Sequence, residues 1–208
     1  MHALSSQLAP LSEEQLNSLD RYLDLLLEAN AVMNLTRITD RASAEVLHVA
    51  DALTLVAHLP RESHRLADVG SGGGVPGIPL AIARPDVSIV LIESTRKKAA
   101  FLDRAIRELA LCNVVVRAER AERLTDCRGK FDVVTARAVA AIGELAQWCF
   151  PLLKPGGRLL AMKGAKAAEE IDAAKKVLQR LGAEQPIVHR TELPGAENHV
   201  VVELHKKK

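Results

Sequence analysis

The chain has 208 residues, of which 48% are hydrophobic and 26% charged, and its mean hydropathy of +0.05 excludes an intrinsically disordered chain. No apolar run reaches the roughly 18 residues that span a bilayer, and the first residues lack the basic and apolar segments of a secretory signal. We therefore expect a globular protein of the cytoplasm without membrane contact. Aromatic residues make up only 2% of the chain, which argues against an RNA-binding surface of stacked rings.

The distribution of charge and the spacing of the cysteines restrict the classes of function further. Residues 1–64 carry four basic and nine acidic side chains, a balance of −5, so with a net charge of +2 residues 65–208 carry +7. A basic body favours an anionic partner. The cysteines Cys112, Cys127 and Cys149 form no C-x-x-C motif and have no histidine at zinc-ligand spacing. We predict reduced thiols and no metal site.

The first 64 residues predict an N-terminal helical cap. Leucines recur at helical spacing between Leu11 and Val32, and Ser12 with Gln15 has the pattern of a capping box. A second apolar helical face runs from Arg41 to Leu59 and ends before a proline. We expect this acidic cap to pack on the rest of the chain rather than fold alone.

Residues 65–208 predict an α/β domain. Short apolar runs occur at 66–69, 89–92, 114–116, 131–135 and 159–162, and amphipathic segments lie between them at 97–109, 141–150 and 167–181. This alternation is typical of parallel strands joined by helices, as in a doubly wound, Rossmann-like sheet. The last two runs, 187–190 and 200–204, are close enough for a hairpin, so one strand is expected to be antiparallel.

A glycine-rich loop follows the first predicted strand, with five glycines within residues 70–77. Ligands bind at the carboxyl ends of strands in such sheets, so the loop predicts a nucleotide-type site. The segment Gly72 to Gly77 also matches the dinucleotide pattern G-x-G-x-x-G. Pro76 and Pro79 remove two N–H donors that a pyrophosphate would use, and Asp68 suits the cationic end of S-adenosylmethionine better than a phosphate.

Two charged residues end later strands. Glu93 follows the second strand, where an acid can accept both ribose hydroxyls of NAD or of S-adenosylmethionine. Arg137 follows the fourth strand and reaches the same edge of the sheet. Its function is either at the site or in a salt bridge to a carboxylate.

Several motifs resemble one bacterial family. They are Asn34-Leu35-Thr36, His48 with Asp51, the loop from Asp68 to Ile82, Leu91-Ile92-Glu93, Phe131 to Ala138, and Leu152 to Gly157 with its Pro-Gly-Gly turn before the fifth strand. Together they resemble small-subunit ribosomal RNA methyltransferase G, also called glucose-inhibited division protein B. The resemblance implies a class I S-adenosylmethionine-dependent methyltransferase fold. It also implies methyl transfer to N7 of one guanine in the decoding-region loop of 16S ribosomal RNA.

The resemblance implies a set of residues that hold S-adenosylmethionine. They are Gly70, Val75, the pair Ala121-Glu122 and Arg137, to which the loop and strand pattern adds Asp68, Gly72 and Glu93. The Ala-Glu pattern occurs twice, so Ala118-Glu119 is an alternative to the second copy, which Leu124 favours. This chain departs from the family pattern at Asn198, which stands before His199 where the family usually has an arginine.

Guanine N7 carries an exposed lone pair, so its methylation needs no strong general base. Catalysis is expected to rest on in-line placement of N7 and on donors to O6 of the base. Arginine suits that contact, so we assign Arg137 a catalytic role and Arg123, Lys163 and His199 contacts with the RNA. His48 and Asp51 lie three residues apart on one helical face, either at the active edge or as a structural pair.

Other classes of function compete with this interpretation. An NAD-binding module would use the same loop, and a non-catalytic assembly factor would bind ribosomal RNA through the basic surface alone. A methyltransferase of a small molecule or a protein is the main alternative among enzymes. The expected partner is 16S ribosomal RNA or the small ribosomal subunit, bound by a monomer.

Overall fold

The computed structural model describes residues 11–191 and 193–208. Its α-helices are α1 (Glu13–Met33), α2 (Arg41–Ala44), α3 (Asp51–Leu53), α4 (Gly77–Ala83), α5 (Arg96–Glu108), α6 (Ile142–Cys149) and α7 (Ala167–Arg180). The strands are β1 (Arg65–Val69), β2 (Ser88–Ile92), β3 (Val114–Arg117), β4 (Phe131–Arg137), β5 (Leu153–Lys163), β6 (Ile187–Arg190) and β7 (Val200–His205). None of the described helices is long and apolar enough to cross a bilayer.

Within the described residues the strands form one sheet in the order β3-β2-β1-β4-β5-β7-β6. The pairs from β3 to β5 are parallel, and β7 runs antiparallel to both β5 and β6. The predicted fold class is therefore confirmed, including the single reversed strand. Its hairpin with β6 follows the spacing seen in the sequence.

Helix α1 begins as the sequence predicts. Ser12 accepts a hydrogen bond from the N–H of Gln15 at 3.2 Å, and the Gln15 side chain accepts from the N–H of Ser12 at 2.9 Å. The helix ends at Asn34, which adopts the left-handed conformation with φ +52° that asparagine tolerates. Its apolar face, including Leu19, Tyr22 and Leu26, is buried.

The second cap helix differs from the regular α-helix expected between Arg41 and Leu59. After α2 the chain forms a π-helical segment, Glu45–Ala50, then α3, then the 3₁₀ segment Thr54–His58. A π-turn inserts an extra residue into the helical repeat and so rotates the side chains that follow. This rotation falls between His48 and Asp51, both of which are buried.

Strand β5 also differs from the prediction. The Pro155-Gly156-Gly157 sequence lies inside β5 rather than in a turn before it. Phe131 of β4 pairs with Leu153 while Val133 pairs with Arg158, so the irregularity inserts extra residues into β5 and the ladder resumes beyond them.

The cap shares a core with one face of the sheet. Leu19 and Leu26 of α1 belong to the same apolar cluster as Leu66 of β1 and Ile78 of α4. Alternate residues of a strand point to opposite faces, and Ala67 accordingly belongs to the cluster on the other face, with α6 and α7. The cap therefore covers one face of the sheet, and α6 and α7 cover the other.

Candidate functional site

The glycine-rich loop lies over the end of β2. The N–H groups of Gly70 and Ser71 donate to the carbonyl oxygen of Ile92 at 2.8 and 3.2 Å. Gly70 has φ +72°, and a Cβ there would lie 2.6 Å from Val139 Cγ2, so any other residue would be strained and would collide. Among the described atoms, a Cβ on Gly72 would come near only the Gly70 carbonyl oxygen, at 3.8 Å. The loop is therefore packed against Val139 at Gly70 and open at Gly72, at the edge of the sheet where ligands bind.

Glu93 connects this loop to the end of β2. Its Oε2 accepts from the N–H of Gly72 at 2.9 Å, and its Oε1 accepts from the N–H of Thr95 at 2.7 Å. The residue is 6% exposed. A carboxylate oxygen has more than one acceptor direction, so each oxygen can take a further hydrogen bond. Glu93 and the open space at Gly72 therefore fit the ribose hydroxyls of an adenosine nucleoside.

Asp68 lies beneath the loop and is fully buried. Its Oδ1 accepts from Thr135 Oγ1 at 2.9 Å, and its Oδ2 accepts from the N–H of Gly77 at 3.3 Å. Burial raises the pKa of this carboxyl to about 6, although neighbouring donors oppose the rise. Both oxygens of Asp68 therefore accept from protein donors, and its contact with the amino group of S-adenosylmethionine stays a prediction. Asp68 holds β4 and α4 to the loop.

The first turn of α4 offers little to a phosphate. Gly77 donates to Asp68, Ile78 donates to the carbonyl oxygen of Gly74 at 2.7 Å, and Pro79 has no N–H. Dinucleotide-binding folds place the pyrophosphate on these groups. The geometry therefore disfavours NAD for the reason that the prolines suggested.

The cap contacts the loop directly. Tyr22 of α1 donates its hydroxyl to the carbonyl oxygen of Gly73 at 2.8 Å. A Cβ on Gly73 would lie 2.7 Å from Leu26 Cδ1, so the loop and α1 pack without space for a side chain there. Burial raises the pKa of Tyr22, which keeps the phenol neutral and able to donate.

Arg137 lies at the centre of a set of polar contacts between body and cap, which we call the Arg137 network. Its members are Thr36, the carbonyl group of Leu47, His48, Asp51, Arg137 and His199. Arg137 donates through Nη1 to the Leu47 carbonyl oxygen and through Nη2 to His48 Nδ1, at 2.8 Å for the latter. Its Nη1 also lies 3.6 Å from Asp51 Oδ2, which His199 Nδ1 approaches to 3.0 Å.

The contacts determine the tautomer of His48. A guanidinium can only donate, so His48 Nδ1 accepts and His48 Nε2 carries the proton. That proton is donated to Thr36 Oγ1, 2.9 Å away. Burial, followed by the charge of Arg137, lowers the pKa of His48 to about 4. The imidazole is therefore neutral and holds the arginine in one orientation.

Asp51 has an acceptor that the protein does not use. Within the described residues its Oδ1 is buried and has no hydrogen-bond partner. Burial raises the pKa of Asp51, and the charges of His199 and Arg137 oppose this effect. Burial also lowers the pKa of Arg137, which Asp51 partly offsets, and a guanidinium remains charged at neutral pH. The network therefore places a held cation and an anion at the carboxyl end of β4.

Comparison with known proteins identifies the family. The family model described as GidB, rRNA small subunit methyltransferase G, matches residues 15–201. The chain belongs to this family. A ribosomal RNA small subunit methyltransferase G from Sorangium cellulosum is 51% identical over 76% of this chain and 68% of that protein. The namesake from Neisseria meningitidis is 43% identical over 92% of this chain and 90% of that protein. The resemblance found in the motifs is thus confirmed.

Solved structures agree on the fold. The M. jannaschii protein TYW2, solved in complex with AdoMet, superposes with a TM-score of 0.61 over 83% of this chain and 80% of its own. The two sequences are 18% identical, so the similarity concerns the fold. This chain therefore has the fold that its motifs implied.

Other residues predicted to hold the cofactor or the RNA lie in the glycine-rich loop or follow β3. Val75 and Ala121 are buried, while Glu122 and Arg123 are exposed on the 3₁₀ turn Ala121–Arg123 that follows β3. Ala118 is exposed, and Glu119 lies 3.9 Å from Arg117. The choice between the two Ala-Glu pairs stays a prediction.

Lys163 is not presented to RNA. Its Nζ donates to Glu170 Oε2 at 2.7 Å and to the carbonyl oxygen of Ala140, and its side chain is 8% exposed. The expected RNA contact therefore finds no support, because the ammonium is paired inside the protein. The contacts made by Tyr22 and by the Leu47 carbonyl were missed in the sequence, where a core tyrosine and a backbone oxygen give no signal.

Proposed function

We propose that this chain transfers a methyl group from S-adenosylmethionine to N7 of a guanine in 16S ribosomal RNA. The observation that carries the proposal is the glycine loop, which is open at Gly72, with the Glu93 carboxylate held beside it. The family membership and the disfavoured phosphate site support this cofactor over NAD.

Residues at the carboxyl ends of the strands would hold the cofactor. Gly70 and Gly72 would allow close approach to the loop, Glu93 would accept the ribose hydroxyls, and Val75 with Ala121-Glu122 would flank it. When bound, S-adenosylmethionine supplies an electrophilic methyl group. The chain itself needs to provide only orientation and charge, since guanine N7 loses no proton.

Arg137 is the residue we assign to the guanine. Its contacts with Leu47, His48 and Asp51 leave its Nε–H without a partner among the described residues. A fixed donor of this kind can bind O6 of a guanine and favour attack through the neighbouring N7. His199, whose side chain is 37% exposed, shares Asp51 with Arg137 and is the network member most accessible to a substrate.

The RNA is expected to bind through exposed cations beside the same edge. Arg96 and Lys97 begin α5 just after Glu93, and Arg123 follows β3; all are exposed. Binding governed by phosphate contacts would weaken steeply as salt rises. We further propose a monomer acting in the cytoplasm on ribosomal RNA or the small subunit, with residues 1–64 as a cap on a 65–208 methyltransferase domain.

Labelled S-adenosylmethionine and small ribosomal subunits that lack this modification test the reaction. We expect label on N7 of a single guanine of the 16S RNA, located by mapping the product. Label on protein, or at a different atom of the RNA, would contradict the proposed substrate.

Matched variants test the residues. Arg137→Ala should reduce methylation by about 100-fold or more, and its affinity for S-adenosylhomocysteine tests the contact with the cofactor that the resemblance implies for Arg137. Glu93→Gln should weaken that binding by roughly 10-fold or more, as measured by calorimetry. The exposed residues Arg128 and Glu184 provide controls, and Arg128→Ala and Glu184→Gln should match the wild type. Tighter binding of NAD than of S-adenosylhomocysteine would remove the cofactor assignment.

A further inference from the structure

A second group of polar side chains lies between the end of the cap and the β6–β7 hairpin. Its centre is Glu203 of β7, whose Oε2 lies 2.8 Å from His189 Nε2. Its Oε1 lies 2.7 Å from His205 Nε2 and 2.9 Å from Arg158 Nη1. His58, at the end of the cap, stacks on His189 with ring centroids 4.2 Å apart. We call these five residues the Glu203 cluster.

Part of this cluster has the composition and spacing of a metal site. One ligand atom from each of His58, His189 and Glu203 lies within 4.8 Å of the other two. Two imidazoles and a carboxylate are a ligand set that zinc uses in proteins, with bonds of about 2.0–2.2 Å. Such bonds place tetrahedral ligand atoms about 3.4 Å apart. Small rotations of these side chains would reach that separation.

One existing contact within the cluster would change when an ion binds. His189 Nε2 and Glu203 Oε2 lie 2.8 Å apart in a hydrogen bond, and a metal ion would replace the proton between them. The His189 ring must then turn an unprotonated nitrogen toward the ion.

The surroundings provide both orientation and access. Arg158 and His205 hold Glu203 Oε1, which leaves Oε2 directed toward His189. Partners of this kind fix the orientation of a metal ligand. The side chain of His189 is 30% exposed, so an ion can enter from solvent.

We propose that His58, His189 and Glu203 bind one divalent transition-metal ion of the zinc class, which links the cap to the C-terminal hairpin. The strand that carries Glu203 is separated from β1 by β4 and β5. The site is thus distinct from the cofactor loop, and the proposal does not depend on the proposed function. The role of the metal ion is structural, because the ion connects the cap to the C-terminal hairpin.

Metal binding to the full chain tests this proposal. After treatment with a chelator, the protein is titrated with Co²⁺, followed by visible absorption, and with Zn²⁺, followed by calorimetry. We expect one ion per chain, with the strong visible bands of tetrahedral Co²⁺. We also expect Zn²⁺ to raise the Tm, because an ion that binds only the folded chain stabilises it.

Single-ligand variants locate the ion. His58→Ala should weaken binding by more than about 100-fold, the upper end of what loss of an outer-shell partner costs, and should abolish the Zn²⁺-dependent rise in Tm. His64→Gln is the matched control, since His64 lies outside the cluster and its ring contacts the Glu62 carbonyl oxygen. That variant should bind like the wild type.

A further variant guards against a folding defect. If metal-free His58→Ala shows no cooperative unfolding, His189→Gln on the edge strand β6 carries the same test. Absence of stoichiometric Co²⁺ binding by the wild type would overturn the proposal. It would be overturned equally if the folded ligand variant bound Co²⁺ with wild-type affinity, since the ion would then lie elsewhere.

Discussion

Two buried carboxylates lie where the cap meets the body, and their pKa values move in opposite directions. Asp51 in the Arg137 network is 1% exposed, and Glu203 in its cluster is 5% exposed. Burial is the largest effect on each of them and favours the neutral acid. Nevertheless the pKa of Asp51 is raised, whereas the pKa of Glu203 is lowered.

The difference lies in the number of donors. Glu203 receives hydrogen bonds from Arg158, His189 and His205, which occupy both oxygens. Asp51 receives its contacts through Oδ2 alone, and its Oδ1 has no partner among the described residues. Asp51 is also the more deeply buried of the two, so burial and donors together leave a fixed anion at Glu203 and an incompletely satisfied acceptor at Asp51. The second kind of environment is typical of functional sites.

Removal of the cap disrupts both the Arg137 network and the Glu203 cluster, and it should have the largest effect on stability. A chain of residues 65–208 loses the α1 leucines from the shared core, together with His48, Asp51 and His58. We expect no cooperative unfolding of this fragment, measured by circular dichroism on heating, because the apolar face that α1 covers on the sheet and α4 would be exposed to water. A fragment that unfolds cooperatively and binds S-adenosylhomocysteine would show that the cap is an accessory to an independent domain.

Asp51→Ala breaks the Arg137 network alone. The change leaves Arg137 as an uncompensated charge in a largely buried position, which should cost about 3 kcal/mol or more in the free energy of unfolding. Asp24→Ala is the control, because Asp24 is 59% exposed in its pair with Arg41 and such pairs contribute about 1 kcal/mol or less. Urea denaturation measures both. If both variants lost the same unfolding free energy, the Asp51 contacts would stabilise the protein no more than an exposed ion pair does.

A smaller effect is expected when the pH is lowered: the free energy of unfolding should fall more for the wild type than for a His48→Gln variant. The pKa of His48 falls from 6.5 to about 4 on folding, so the unfolded chain binds a proton that the native chain excludes. The contribution of the neutral imidazole is complete above pH 6.5 and is lost as the pH falls toward 4. Between pH 7 and pH 5 the wild type should lose about 2 kcal/mol more than the variant. Chemical denaturation at both pH values tests this, and parallel losses would contradict the buried neutral His48.

Local patterns in the sequence were sufficient for most of the fold. Apolar periodicity predicts the strands and the helices around them, and the capping box of Ser12 and Gln15 is found as expected. The glycine loop and Glu93 were also recognisable, because each follows directly from a strand end in a parallel sheet. These features depend on neighbours in the chain, and so the sequence alone determined them together with the family.

The partners of the charged residues were decided by the tertiary structure. Lys163 pairs with Glu170, Arg137 with the Leu47 carbonyl and Asp51, and His58 with His189, and no spacing rule connects the members of these pairs. The sheet order brings β7 beside β5, and the shared core sets the cap against both. The sequence specifies which side chains are charged. Their burial and their hydrogen-bond partners arise only when distant segments pack together, and burial and partners determine the chemistry of each charge.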